Sequence, residues 1–164
     1  MKRLIASIAV AVSRFAIKPA HADVIFTADG IPGTSLIAKP PAPNPVEATS
    51  FVFTAGKAAD LVITRLTDKA SVPLLSAAAS SQRFKNVTVY FINRSDPSAP
   101  VLYRATLMDA TLVSVKQAAS DNDRAPTETL TFEFTRAEVE TFVQDPKTGR
   151  MSSGGRATIS GKRS

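Results

Sequence analysis

Residues 127–142 read T-E-T-L-T-F-E-F-T-R-A-E-V-E-T-F, and this stretch decides the fold class of the chain. From Leu130 to Phe134, apolar and polar residues alternate with the period of a half-buried β-strand. After Thr135 the parity changes, because Ala137 and Val139 are apolar while their neighbours are charged. A strand that keeps one side buried across such a change needs a bulge or a corner. The stretch therefore predicts a strand that bends around a rolled sheet.

Strand patterns also precede this stretch, at residues 24–28, 47–54, 60–66 and 84–93. Within 60–66, Leu61, Ile63 and Arg65 share one face. Residues 101–116 are consistent either with two strands joined at Asp109 or with one long bent strand. With about seven to nine strands and no alternation of strands and helices, the chain is predicted to be mainly β, an antiparallel β-barrel or sandwich.

One short helix is predicted between the strands. Ser71 can serve as its N-cap, and Pro73 lies in the first turn, where its missing N–H does no harm. Leu74, Leu75 and the following alanines favour helix, and the pattern ends at Ser80. A helix this short has to pack on the barrel to persist.

The amino-terminal segment, residues 1–22, has the features of a secretory signal. Lys2 and Arg3 precede an apolar run at 4–12, and Ala20 and Ala22 are the small residues that precede a cleavage site, so the cut is predicted before Asp23. The segment is too short and too interrupted to span a membrane. The predicted division is a signal peptide at 1–22, a barrel domain at 23–146 and a basic, flexible tail at 147–164, and the predicted location is secreted or periplasmic.

Charge and composition limit the classes of partner. Apolar residues make up 44% of the chain, which supports a packed core. Four cations lie in the first 22 residues, so removing that segment lowers the net charge from +6 to +2. A nearly neutral body with a basic tail does not predict nucleic-acid binding. Stable membrane insertion is not predicted either, because no later stretch approaches the roughly eighteen consecutive apolar residues of a membrane span.

Residues equipped for chemistry are scarce. The chain has no cysteine, and its one histidine, His21, lies in the predicted leader. These facts argue against the Ser-His-Asp and Cys-His systems and against the usual zinc and copper ligands. Asp121 and Asp123 are the remaining carboxylate pair, but they lie in a polar loop that lacks the glycine and glutamate of a calcium loop. The sequence predicts no enzyme activity, no cofactor, no metal and no catalytic residue.

Several blocks resemble the Hcp family, the haemolysin-coregulated proteins of type VI secretion systems. They occur in the family's order and span about residues 24–150; they are F-T-A-D-G-I-P-G-T-S at 26–35, D-K-A-S-V-P-L-L at 68–75, L-M-D-A-T-L-V-S-V at 107–115 and P-T-E-T-L-T-F-E-F at 126–134. The resemblance implies an Hcp-like β-barrel flanked by one short helix. It also implies a homohexameric ring that stacks into a tube and carries effectors.

The implied partners are further copies of the chain and the spike, sheath and effector proteins of the secretion system. We expect the proline-rich loop to contact a neighbouring subunit or ring through Thr34, Ser35, Leu36, Ile37, Pro40, Pro41, Pro43 and Pro45. The leader leaves an alternative open, an exported Hcp-derived monomer that serves as a periplasmic binding or adaptor protein. If the leader is not functional, assembly is expected in the cytoplasm.

Overall fold

A computed structural model describes residues 22–33, 44–96 and 98–161. These residues form nine β-strands and one α-helix. In chain order the elements are β1 (Ala22–Ala28), β2 (Val46–Ala48), β3 (Ser50–Thr54), β4 (Asp60–Leu66), α1 (Ser71–Ala79), β5 (Arg83–Asn93), β6 (Val101–Ala118), β7 (Thr127–Glu133), β8 (Arg136–Gln144) and β9 (Met151–Ser160). The prediction of a mainly antiparallel β fold with one short helix is confirmed.

All nine strands belong to one antiparallel sheet, whose main path runs β2-β1-β5-β6-β7-β4-β3. The two ends of the path are consecutive in sequence, since only Thr49 separates β2 from β3. Before Thr49 the chain pairs with β1 through β2, and after it the chain pairs with β4 through β3. The Thr49 amide itself donates to the carbonyl of Thr64 in β4. The hydrogen-bonded sheet is therefore rolled but not closed, which corrects the expectation of a complete barrel.

The corner predicted near Thr135 is present. Strands β7 and β8 both pair with the same long strand, β6, one with residues 111–118 and the other with 103–108. Between them the Thr135 amide donates to the Met108 carbonyl. Phe132 and Phe134 are buried before the corner and Ala137 after it, so the change of parity keeps one face in the core.

Strand β6 is continuous over 18 residues, which settles the two alternatives for this region. Asp109 has a φ of 49°, a left-handed conformation that Asp tolerates better than most residues. This kink lies beside the β7–β8 corner, where β6 passes from one partner to the other.

The core fills the inside of the rolled sheet. Its largest fully buried aromatic side chains are Phe26, Phe84, Phe132 and Phe134. The rings of Phe26 and Phe84 both lie edge-on to Phe132, with centroids 6.4 Å and 6.0 Å away. A smaller apolar cluster of Ile25, Tyr90 and Ile92 packs on the other face of the sheet. The sheet therefore has a large apolar layer on its inner face and a small one on its outer face.

Helix α1 covers the core with Leu74 and Ala77. The predicted cap is wrong: Ser71 is the first helical residue and Ala70 is the N-cap, without a capping side chain. The Ser71 hydroxyl instead accepts a hydrogen bond from the Asp68 amide, and the Asp68 carboxylate accepts one from the Ala70 amide. The carboxylate of Asp68, three residues before the helix, thus accepts a hydrogen bond from a backbone amide at the start of the helix, in place of a capping side chain.

The carboxyl-terminal segment is not a flexible tail over residues 151–160. These residues form β9, which pairs with β8 from Gln144↔Met151 to Arg136↔Ser160. The strand has a bulge at Gly154. A Cβ on Gly154 would lie 2.9 Å from the side chain of Val143 and 3.0 Å from that of Thr141, so glycine fits this position closely. Most side chains of this segment are exposed and Ile159 packs against the core, so backbone pairing with β8 is the main reason that the segment forms a strand.

Candidate self-association surface

The two ends of the predicted proline-rich loop, Gly33 and Asn44–Pro45, lie side by side and form a narrow neck. Gly33 lies against the backbone of Asn44 and Pro45, so close that a Cβ on Gly33 would be 1.9 Å from the Asn44 carbonyl oxygen. Pro45 is buried and leads into the fully buried Val46. The other predicted contact residues, Thr34, Ser35, Leu36, Ile37, Pro40, Pro41 and Pro43, lie outside the described residues. The structure therefore gives the base of the loop, where one end lies against the other and the Pro45 end is anchored in the core.

Replacing Gly33 with Ala is expected to destabilise the protein by about 2–3 kcal/mol, because the added methyl group forces the neck backbone apart. Chemical unfolding of the purified protein measures the loss. Gly30→Ala is the matched control, since its Cβ would have open space and only the left-handed φ of 82° is strained, at a cost of about 1 kcal/mol. A Gly33→Ala loss no larger than that of the control would contradict the tight neck.

A second feature is the outer edge of β9. Within the described ranges β9 pairs with β8 alone, so its other edge offers unpaired backbone donors and acceptors along ten residues. Residues 151–158 are exposed on both faces and are mostly small. Such an edge is a template on which a strand of another chain can add.

Two apolar side chains lie exposed at the far end of the same hairpin. Val143 on β8 is 56% exposed and Met151 on β9 is 36% exposed. They belong to neighbouring pairs of the ladder, Val143↔Ser152 and Gln144↔Met151, so their side chains lie on opposite faces of the hairpin. This end projects beyond β6, which pairs with β8 only as far as Thr141. A hydrogen bond joins this end of the hairpin to the turn after β5, since Gln144 Nε2 donates to Asp96 Oδ2 at 2.6 Å. The hairpin thus offers a strand edge whose tip carries one exposed apolar side chain on each face.

The outer face beside this hairpin carries a charged cluster. Glu140 accepts hydrogen bonds from Arg104 and from Arg156, the latter at 3.2 Å. The bond from Arg104 is the main reason that the pKa of Glu140 lies below the ordinary carboxyl value. The three side chains line a shallow cleft of about 250 Å³ together with Tyr90, Thr106 and Glu138. Because opposite charges are already paired across β6, β8 and β9, the cluster holds these strands together.

The acidic residues weighed as a possible site remain on the surface. Asp121 and Asp123 are exposed, and Asp123 Oδ2 accepts a hydrogen bond from the Ser120 amide at 2.8 Å, as in an ordinary turn. In the part of the chain that the structure describes, no three residues among His, Cys, Asp and Glu are grouped so that they could hold a metal ion. Within those same ranges no helix has the length and apolarity that a membrane span requires.

The predicted cleavage site falls at the start of the fold. Ala20 lies outside the described residues, whereas Ala22 and Asp23 are the first residues of β1. The Asp23 carboxylate forms an ion pair with Arg94 in the turn after β5. Sequence reasoning missed the β9 edge and the Arg104–Glu140–Arg156 cluster, because β9 lacks apolar alternation and the cluster joins residues distant in sequence.

Comparison with known proteins identifies the family. Residues 41–141, more than half of the chain, match the family described as type VI secretion system effector, Hcp. Among curated proteins the sequence has no match.

Solved structures share the fold. Hcp1 from Salmonella typhimurium is 20% identical with a TM-score of 0.70 over 85% of this chain and 94% of that one. A type VI secretion system effector from Yersinia pestis is 24% identical with a TM-score of 0.67 over 84% and 99%. The secreted protein Hcp3 from Pseudomonas aeruginosa is 19% identical with a TM-score of 0.56 over 82% and 96%. Together with the match over residues 41–141, the rolled antiparallel sheet and its single helix place this chain in the Hcp family of type VI secretion system effector and tube proteins.

Proposed function

We propose that this protein is a structural tube subunit and effector carrier that assembles into stacked homohexameric rings. The observation that carries the proposal is the edge of β9 that no strand among the described residues pairs with, on a chain that matches the Hcp family over residues 41–141. In a closed ring each subunit uses two different surfaces, because one heterologous contact repeats around the axis. The β8–β9 hairpin is our proposed donor surface for that contact.

The neck at Gly33 and Pro45 supports the second contact that we propose, between the loop and a neighbouring subunit or ring. Fixing both ends of a loop lowers the conformational entropy that it loses on binding. The residues proposed for this contact are Thr34, Ser35, Leu36, Ile37, Pro40, Pro41 and Pro43. Pro45, which the sequence also marked for this contact, is buried and holds the base of the loop instead. Deleting residues 35–42 is a direct test, and unchanged ring formation and stacking would reject the role of the loop.

Replacing Val143 with Lys is expected to weaken ring assembly by about tenfold or more, since a charge is then buried in the apolar part of an interface. Light scattering across a dilution series measures the shift in the assembly midpoint. Val113→Lys is the matched control, because Val113 is 46% exposed but lies at a bulge in the part of β6 that pairs with β7, outside the β8–β9 hairpin. If both variants assemble like the parent protein, β8–β9 is not the ring interface.

We propose further that residues 1–22 form an export leader that is cut before Asp23. The pattern Ala20-His21-Ala22 behind a basic start and an apolar run supports this step. It also favours the second candidate function, an exported Hcp-derived monomer that binds or adapts other proteins in the periplasm. The native mass separates the two functions, since a ring has about six times the mass of the monomer.

A further inference from the structure

The bond between Ala22 and Asp23 lies inside a paired strand once the protein has folded. Ala22 opens β1 opposite Asn93, Asp23 lies opposite Ile92, and Val24 lies opposite Phe91. The ion pair between Asp23 and Arg94 adds a side-chain contact on the carboxyl side of the bond. From Val24 to Phe26 the second edge of β1 is also occupied, because these residues pair with β2, beginning with Val24 opposite Ala48.

The residues that follow the bond are deeply buried. Val24 is 8% exposed and Ile25 is fully buried against Tyr90 and Ile92. A peptidase binds its substrate as an extended segment and needs several residues on each side of the bond. Fraying of Ala22 and Asp23 alone, which is common at strand ends, does not release Val24 and Ile25. Cleavage of the folded chain therefore requires that buried parts of β1 leave both neighbouring strands.

We infer that folding of β1 and removal of the leader exclude each other, so that the order of the two events sorts the chain into two pools. The inference rests on the leader proposed above. In the unfolded chain, a leader peptidase adds water across the Ala22–Asp23 peptide bond, which leaves a carboxylate on Ala22 and an ammonium group on Asp23. A chain that folds first keeps its leader.

Both pools can adopt the same fold. Cleavage removes only the Ala22↔Asn93 position of the β1–β5 ladder and leaves the six positions from Asp23 to Ala28. The Asp23–Arg94 ion pair and the burial of Ile25 do not depend on the leader. A cut chain can therefore refold after export, while an uncut chain that folded before export is already able to assemble.

The test is cell-free synthesis of the full-length chain, with a leader peptidase in detergent added either during synthesis or after folding is complete. Mass spectrometry of the products reports cleavage before Asp23. The matched variant carries six Gly/Ser residues inserted after Asp23, which moves the cleavage site away from the folded strand while preserving Ala20, Ala22 and Asp23. We expect the folded parent chain to be cut on the order of 100-fold more slowly than the linker variant, because Val24 and Ile25 resist release.

Three outcomes are distinguishable. Cleavage of the parent chain only during synthesis, with cleavage of the linker variant at both times, supports the inference. Equal cleavage rates for the folded parent chain and the folded linker variant overturn it, while the leader itself stands. If neither chain is cut at any time, the export leader is rejected and the inference falls with it, but the proposed ring function remains open to the mass measurement.

Discussion

Replacing Arg65 with Ala is expected to lower the free energy of unfolding by about 3–5 kcal/mol, because it leaves a buried carboxylate without its cation. Arg65 is 1% exposed, and its NH1 donates to Glu128 Oε2 at 3.1 Å, while the Glu128 side chain is fully buried. The other oxygen of Glu128 accepts a hydrogen bond from Gln117 at 2.6 Å. Arg65 also pairs with Asp68, which holds the backbone before α1. The substitution thus disturbs both the β4–β7 ladder and the start of the helix.

Urea unfolding of the full chain measures this loss. The double variant Arg65→Met with Glu128→Leu is the control, and it is expected to lose less than Arg65→Ala because no buried charge is left behind. Arg136→Ala serves as a surface reference, since the Arg136–Glu138 pair is exposed and is expected to contribute less than about 1 kcal/mol. An Arg65→Ala loss as small as that of Arg136→Ala would show that the buried pair is not needed for stability.

Replacing Phe132 with Ala is also expected to lower the free energy of unfolding by about 3–5 kcal/mol, because it opens a cavity in the core inside the rolled sheet. Phe132 is fully buried, and its ring contacts those of Phe26 and Phe84 edge-on. Its backbone lies between Leu61 of β4 and Leu112 of β6. Thermal and chemical unfolding measure the loss.

The matched control for this variant is Phe51→Ala. Phe51 is only half-buried and stacks on Tyr103 with ring centroids 5.2 Å apart. Because water already reaches this ring, we expect its truncation to cost distinctly less than that of Phe132. Equal losses for the two variants would mean that the packing around Phe132 is not the centre of the core.

The strands with one buried face could be predicted from the sequence, since alternation reports burial directly. The change of parity after Thr135 predicted the β7–β8 corner, and Arg65 was correctly placed on the face of Leu61 and Ile63. Its partner could not be identified, because Glu128 is 63 positions away and only the β4–β7 register brings the two together. Glu128 has the same parity as Leu130 and Phe132, which was the available signal.

The segment 151–160 shows where sequence reasoning fails. Most of its residues are small, polar or glycine, and those from 151 to 158 are exposed. Ile159 alone in the segment packs against the core, so neither periodicity nor propensity indicates a strand. The ladder with β8 supplies the backbone hydrogen bonds that the side chains do not predict. For the same reason the proposed β9 interface could not be read from the sequence, whereas the loop residues were marked by their prolines.

The ring proposal depends on self-association of the folded chain, and the chain that begins at Asp23 holds all of the fold except Ala22 at the start of β1. Its most direct test is the native mass of that chain at micromolar concentration, measured by light scattering coupled to size exclusion. The account predicts a mass of about six times the monomer, as a closed homohexamer requires. A single-subunit mass under the same conditions would contradict it and favour the monomeric periplasmic protein.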